Sequence, residues 1–213
     1  MCWSATADLV AGTAIAAVGV ACLAGVRRPG DVPLAALPLL LGAHQIVESV
    51  VWRAGGGSGP ATLAWAVIAL PLLALWVPLG VLTAAAPAHR GRLVVPLAAG
   101  ALTAAVLAHR LAGGRPVTAE VRGRTLGYVL DLPYASPLIA GYLVATVGAL
   151  LLARDRLLRL LGVLTGAGAV VCVLLWRTEF VSTWCAFAAV ASLLLFAWVR
   201  GRNPRAPRQL TRA

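Results

Sequence analysis

Lysine is absent from the 213 residues, so all 18 basic side chains are arginine. A retinal photoreceptor needs a lysine amine for its Schiff base, and that cofactor is thereby excluded. Charge of either sign is scarce: 12% of the chain is charged and only 7 residues are acidic, against about 25% charged in soluble domains. Four cysteines are too few for a disulfide-built mini-protein. What is abundant is apolar: 61% of residues, with a mean hydropathy of +0.90. Such a composition argues against both a water-soluble globule and a disordered chain. The formal charge of +11 would suggest nucleic acid in a soluble protein. Here the arginines stand between long apolar stretches, where they orient membrane spans, and no nucleic-acid partner is expected.

Seven apolar stretches occur, at 9–26, 33–52, 61–85, 93–111, 136–153, 157–176 and 181–199. Each approaches the ~20 residues a helix needs to cross the hydrocarbon layer. The prediction is an all-α, polytopic bundle of seven transmembrane helices over residues 1–199, with the lipid bilayer as its partner. A basic, disordered cytoplasmic tail follows at 200–213. Residues 1–8 lack a basic segment, so the first stretch reads as a retained span and not as a cleaved signal. With the N-terminus outside, twelve arginines fall in inner segments and six in outer ones, which favours N-out, C-in.

The outer loop at 112–135 alternates with a period of two. Val117, Ala119 and Val121 share one parity, and after Gly123-Arg124 the residues Leu126, Tyr128 and Leu130 take the other. A two-residue turn then pairs Val121 with Leu126 and Ala119 with Tyr128, predicting a β-hairpin at about 117–130 between the fourth and fifth helices.

Polar groups inside spans cost at least ~2.5 kcal/mol by insertion scales and call for a reason. The second stretch has a dense set: His44, Gln45 and Glu48, then Trp52. His44 and Glu48, four apart, share one helix face, which should turn toward the bundle interior. In the N-out arrangement, Cys2, Ser4, Asp8, His109, Arg110, Glu179, Ser182, Trp184 and Cys185 reach the same outer level. An outward-facing intramembrane pocket is therefore expected, centred on Glu48 and lined by Cys2, Ser4, His44, Gln45, Trp52, His109, Arg110, Glu179, Trp184 and Cys185. A transition metal there would draw on His44, Glu48, His109 and Cys185, though no His-x-x-x-His or Cys-x-x-Cys motif occurs. Cys2 and Cys185 on the oxidising side suit either a disulfide or free thiols, with Cys172 as a competing partner. Cys22 reads as a small buried apolar residue. Gly162-x-x-x-Gly166 permits close helix approach, and with it a homo-oligomer.

Three segments, Met1-Cys2-Trp3-Ser4-Ala5, Gln45-Ile46-Val47-Glu48-Ser49-Val50-Val51-Trp52 and Trp184-Cys185, resemble an uncharacterised family of bacterial multi-pass membrane proteins. Members typically open Met-Cys-Phe-Ser-Ala, carry Gln-x-x-Glu-Gly-x-Val-Trp in the second span and begin the last with Trp-Cys. Trp3 and Ser49 depart from that pattern. The resemblance implies the bacterial inner membrane and gives weight to Cys2, Ser4, Gln45, Glu48, Trp52, Trp184 and Cys185, but supplies no reaction. Three functions follow from the residues: binding of a small polar ligand, lipid headgroup or proton-coupled substrate at Glu48; a membrane-embedded metal- or thiol-dependent lipid hydrolase; or a non-catalytic membrane scaffold.

Overall fold

A computed structural model describes residues 4–114, 116–123, 125–132, 134–175 and 180–202, with the side chains of 172–175 and 180–186 outside the description. Helix α1 spans Ala5–Gly25 and α2 spans Val32–Arg53. Helix α3 runs Pro60–Ala84 and α4 Val94–Ala112. Strands β1 (Thr118–Arg122) and β2 (Thr125–Val129) follow. Helix α5 covers Ala135–Leu152, α6 Arg156–Leu175 and α7 Phe180–Gly201. Five of these, α1, α3, α4, α5 and Pro29–Arg53 containing α2, are long and apolar enough to cross a membrane.

The boundaries have local causes. Ser4 caps α1, its Oγ accepting the Ala7 N–H at 3.2 Å. Prolines open α2 and α3, where their missing N–H costs nothing. Within α3, Pro71 cannot donate, and a π turn occupies Ile68–Leu72. The Leu73 N–H there bonds the Ile68 carbonyl, and the Tyr142 hydroxyl of α5 donates to the Ala69 carbonyl at 2.8 Å. Pro38 and Pro78 stay inside their helices without ending them.

Helices α1 and α2 pack side by side because glycine removes the side chains between them. A Cβ at Gly42 would lie 2.6 Å from the Ala16 nitrogen, and one at Gly19 would collide with the Leu39 backbone. The Gly162 and Gly166 pair serves a contact within the chain, with Gly162 against Leu150 and Leu151 and Gly166 facing Val147 of α5.

The two strands form an antiparallel sheet with Val121 opposite Leu126 and Ala119 opposite Tyr128. Glu120 and Arg122 pair at 2.7 Å on its exposed face. Ala119 also exchanges both backbone hydrogen bonds with Gly57 in the α2–α3 loop, at 2.7 and 3.1 Å. The hairpin is thus tied to the loop that follows the polar helix.

The two ends of the bundle differ in chemistry. At the end holding the α1–α2 connection, an apolar core gathers Cys22, Leu34, Leu37, Val81, Leu158, Leu195 and Trp198. Arg202 closes this end, with Nε 3.1 Å from buried Asp31, its guanidinium over the Trp198 ring at 4.9 Å, and a bond to the Ala84 carbonyl. At the hairpin end, Val51, Ala119 and Leu126 make a smaller cluster beside buried polar groups.

Candidate functional site

Spacing along α2 carries the site. His44, Gln45, Glu48 and Trp52 rise along one stripe, as residues three or four apart must. Glu48 and Gln45 are 0% and 1% exposed. Helix α1 brings Asp8, also 0% exposed, close enough for the two carboxyls to act on each other electrostatically. The Trp52 indole N–H is turned toward the Asp8 carboxyl but falls short of hydrogen-bond geometry. Among the described residues neither Asp8 oxygen has a hydrogen-bond partner, nor do the buried Trp52 Nε1, Trp65 Nε1 and His44 Nε2 atoms.

The hairpin supplies the lid. Tyr128 donates its hydroxyl to Glu48 Oε1 at 3.3 Å. Its ring stacks on Trp65 of α3, centroids 3.5 Å apart and planes within 4°, and Trp65 in turn sits 5.2 Å from the His44 ring. Burial, and then the adjacent Glu48 carboxyl, pushes the Tyr128 phenol well above the ordinary tyrosine range. It therefore acts here as a donor. Four chain segments, in α1, α2, α3 and β2, converge on this cluster.

Other sequence-singled residues lie elsewhere. Ser4 is exposed and occupied as the α1 cap. His109 is exposed on α4, while half-buried Arg110 lines a cleft beneath the hairpin. Cys2, Glu179 and the side chains of Cys172, Ser182, Trp184 and Cys185 lie outside the described residues, and with them the disulfide expectation. Cys22 is a buried free thiol. Among the described residues no three His, Cys, Asp or Glu side chains are grouped to hold a metal. Neither the cleft at Arg110 nor a second one at Asp31 and Arg202 includes Glu48. The described side chains around Glu48 form a buried polar cluster at the centre of the outward-facing pocket expected from the sequence, and the remaining expected lining, Cys2, Glu179, Trp184 and Cys185, lies outside the described side chains.

Trp65 and Tyr128 are the members that pattern reading passes over, since Trp65 reads as an interfacial aromatic and Tyr128 as part of the hairpin's apolar face. The signal for Tyr128 lies in the register itself: opposite Ala119, it shares the face that Gly57 holds against the bundle.

A helical bundle with five membrane-length apolar helices and buried carboxyls defines the class, a multi-pass membrane protein. Within that class, the chain belongs to a family of unknown function, DUF6629, whose model matches residues 1–210. No curated protein and no solved structure matches it.

Proposed function

We propose that the chain crosses the bacterial inner membrane seven times, N-terminus outside, and that Asp8 and Glu48 beneath the hairpin bind a small hydrogen-bonding ligand and exchange a proton with it. One observation carries the reading: two fully buried carboxyls from different helices, Asp8 and Glu48, lie close enough to act on each other, with the Trp52 indole N–H turned toward Asp8. Leaving a buried donor or acceptor unmatched costs about 1–3 kcal/mol for each group. A ligand that reaches the cluster once the hairpin releases, accepting from Trp52 and donating to Asp8, removes that cost. Two neighbouring carboxyls from different helices add the proton chemistry, because ionising one disfavours ionising the other. Tyr128 holds Glu48 from the hairpin side, so release of the hairpin is the step that exposes the pair.

The test is infrared difference spectroscopy of the purified chain in lipid nanodiscs during a pH titration. A protonated-carboxyl band that titrates in the wild type, and that Asp8→Asn and Glu48→Gln each diminish, supports the reading. A band insensitive to both substitutions, with thermal stability lowered by each, assigns the carboxyls a purely structural role and leaves the scaffold reading.

A further inference from the structure

The second cleft lies at the end of the bundle opposite the carboxyl cluster and does not depend on it. It opens where α1 and α7 finish side by side, lined by Gly25, Val26, Arg27, Asp31, Val199 and Arg202. Glycine lets the two helices come this close, since a Cβ at Gly25 would lie 3.1 Å from Val199 Cγ1. The 21 residues of α1 end at Gly25 and span about 31 Å at 1.5 Å per residue, with Arg27 just beyond. Its guanidinium therefore lies where hydrocarbon gives way to headgroups. Toward the middle of the same two helices, Val20, Val190 and Leu193 are exposed, as lipid-facing residues are.

The charges of the lining are not equivalent. Arg202 is committed inward: its Nε stands 3.1 Å from Asp31 Oδ2, its guanidinium covers the Trp198 ring, and another of its nitrogens donates to the Ala84 carbonyl. Arg28 adds its own attraction to Asp31. Arg27 does neither. It is exposed, and among the described residues its side chain makes no hydrogen bond or ion pair. An uncommitted arginine at headgroup depth presents a planar fork suited to a phosphate. Two arginines and one carboxylate leave the lining with positive charge in excess. A singly anionic lipid neutralises that excess, whereas the ammonium of a zwitterion adds to it.

We infer that this cleft holds an anionic phospholipid, its phosphate on Arg27 and its acyl chains along the apolar faces of α1 and α7. The paired Arg202 and Asp31 close the floor of the cleft, and Arg27 selects the charge of what enters.

The full chain, reconstituted in vesicles of equal phosphatidylglycerol and phosphatidylethanolamine and released into mild detergent, reports its retained lipid by native mass spectrometry. The wild type is expected to keep one phosphatidylglycerol in preference to phosphatidylethanolamine. Arg27→Gln should lower that retention about tenfold, the loss of roughly one charge-assisted hydrogen bond. Arg92→Gln removes an equal charge from an exposed arginine of the α3–α4 loop, outside the cleft, and should leave retention unchanged. Arg27→Lys keeps the charge without the fork and should fall between the two, so the assignment stays readable should Arg27→Gln fold poorly. Glycerophosphoglycerol, the same headgroup without chains, should fail to displace the lipid. Equal retention of both lipids by the wild type, equal losses in Arg27→Gln and Arg92→Gln, or displacement by the free headgroup would overturn the assignment.

Discussion

Tyr128 is the residue where hairpin and bundle meet, and each of its contacts tests a different property. Its hydroxyl bond to Glu48 is lost in Tyr128→Phe while the stack on Trp65 is kept. That change should lower stability by about 1–2 kcal/mol, the worth of a buried hydrogen bond to a carboxyl, measured as the midpoint of thermal unfolding in detergent. The raised phenol also sets a pH dependence with a definite sign. The folded chain keeps the proton where the unfolded chain releases it, so stability is intact below the ordinary tyrosine value of 10.0 and declines as pH rises past it. Tyr128→Phe should flatten that alkaline decline, and an unchanged slope would show that other groups cause it. Asp8 illustrates what the residue scale left obscure. The sequence places it at the start of a span, but only the approach of α2 sets it beside Glu48 and Trp52.

Among the elements, the pair α1 and α2 and the hairpin clamp bear the arrangement. Gly42 meets Ala16 and the Gly12 carbonyl so closely that any side chain must push the helices apart. Gly42→Leu should therefore cost at least the ~1–3 kcal/mol typical of overpacking. It should also separate Asp8 from Glu48, reducing thermal stability together with the carboxyl titration. The clamp rests on Ala119, whose N–H donates to Gly57. Ala119→Pro deletes that donor and should release the hairpin. Near-ultraviolet circular dichroism would read this as loss of the Trp65–Tyr128 stacking signal, with helical content unchanged. Glycine is required at position 56 for a separate reason: its φ is +84°, and a Cβ there would sit 2.5 Å from the Ala119 carbonyl oxygen.

For the whole molecule, orientation is the open physical variable, and arginine counting supplies a prediction. In the N-out arrangement Ser58, in the α2–α3 loop, lies outside and His89, in the α3–α4 loop, lies inside. In a background with the native cysteines replaced, an impermeant thiol reagent applied to intact cells should label Ser58→Cys and spare His89→Cys until the membrane is opened. The opposite result would invert the bundle. The Arg202 contacts with Asp31, Trp198 and Ala84 would then close the outer end instead of the inner one.

Legibility followed the range of the forces. Apolar run lengths and period-two alternation report on neighbours along the chain, so the largely helical class, with five helices of membrane length where seven spans were expected, and the pairing of Ala119 with Tyr128 were readable from the sequence. The buried stripe on α2 was readable too, since a carboxyl in an apolar run has no cheap alternative to facing inward. Which groups would meet that stripe was not readable. Asp8, Trp65 and Tyr128 are distant in sequence from Glu48, and their convergence depends on glycines that admit α1, on a π turn in α3 and on a two-bond bridge from Gly57 to Ala119. Nor could spacing alone reveal that the Gly162 and Gly166 motif packs within the chain. Composition and periodicity determined the membrane-compatible helical class and the position of the costly carboxyl, because both are set by local transfer energies. Tertiary structure decided the partners of that carboxyl, because contacts between distant segments follow from which backbones can approach closely.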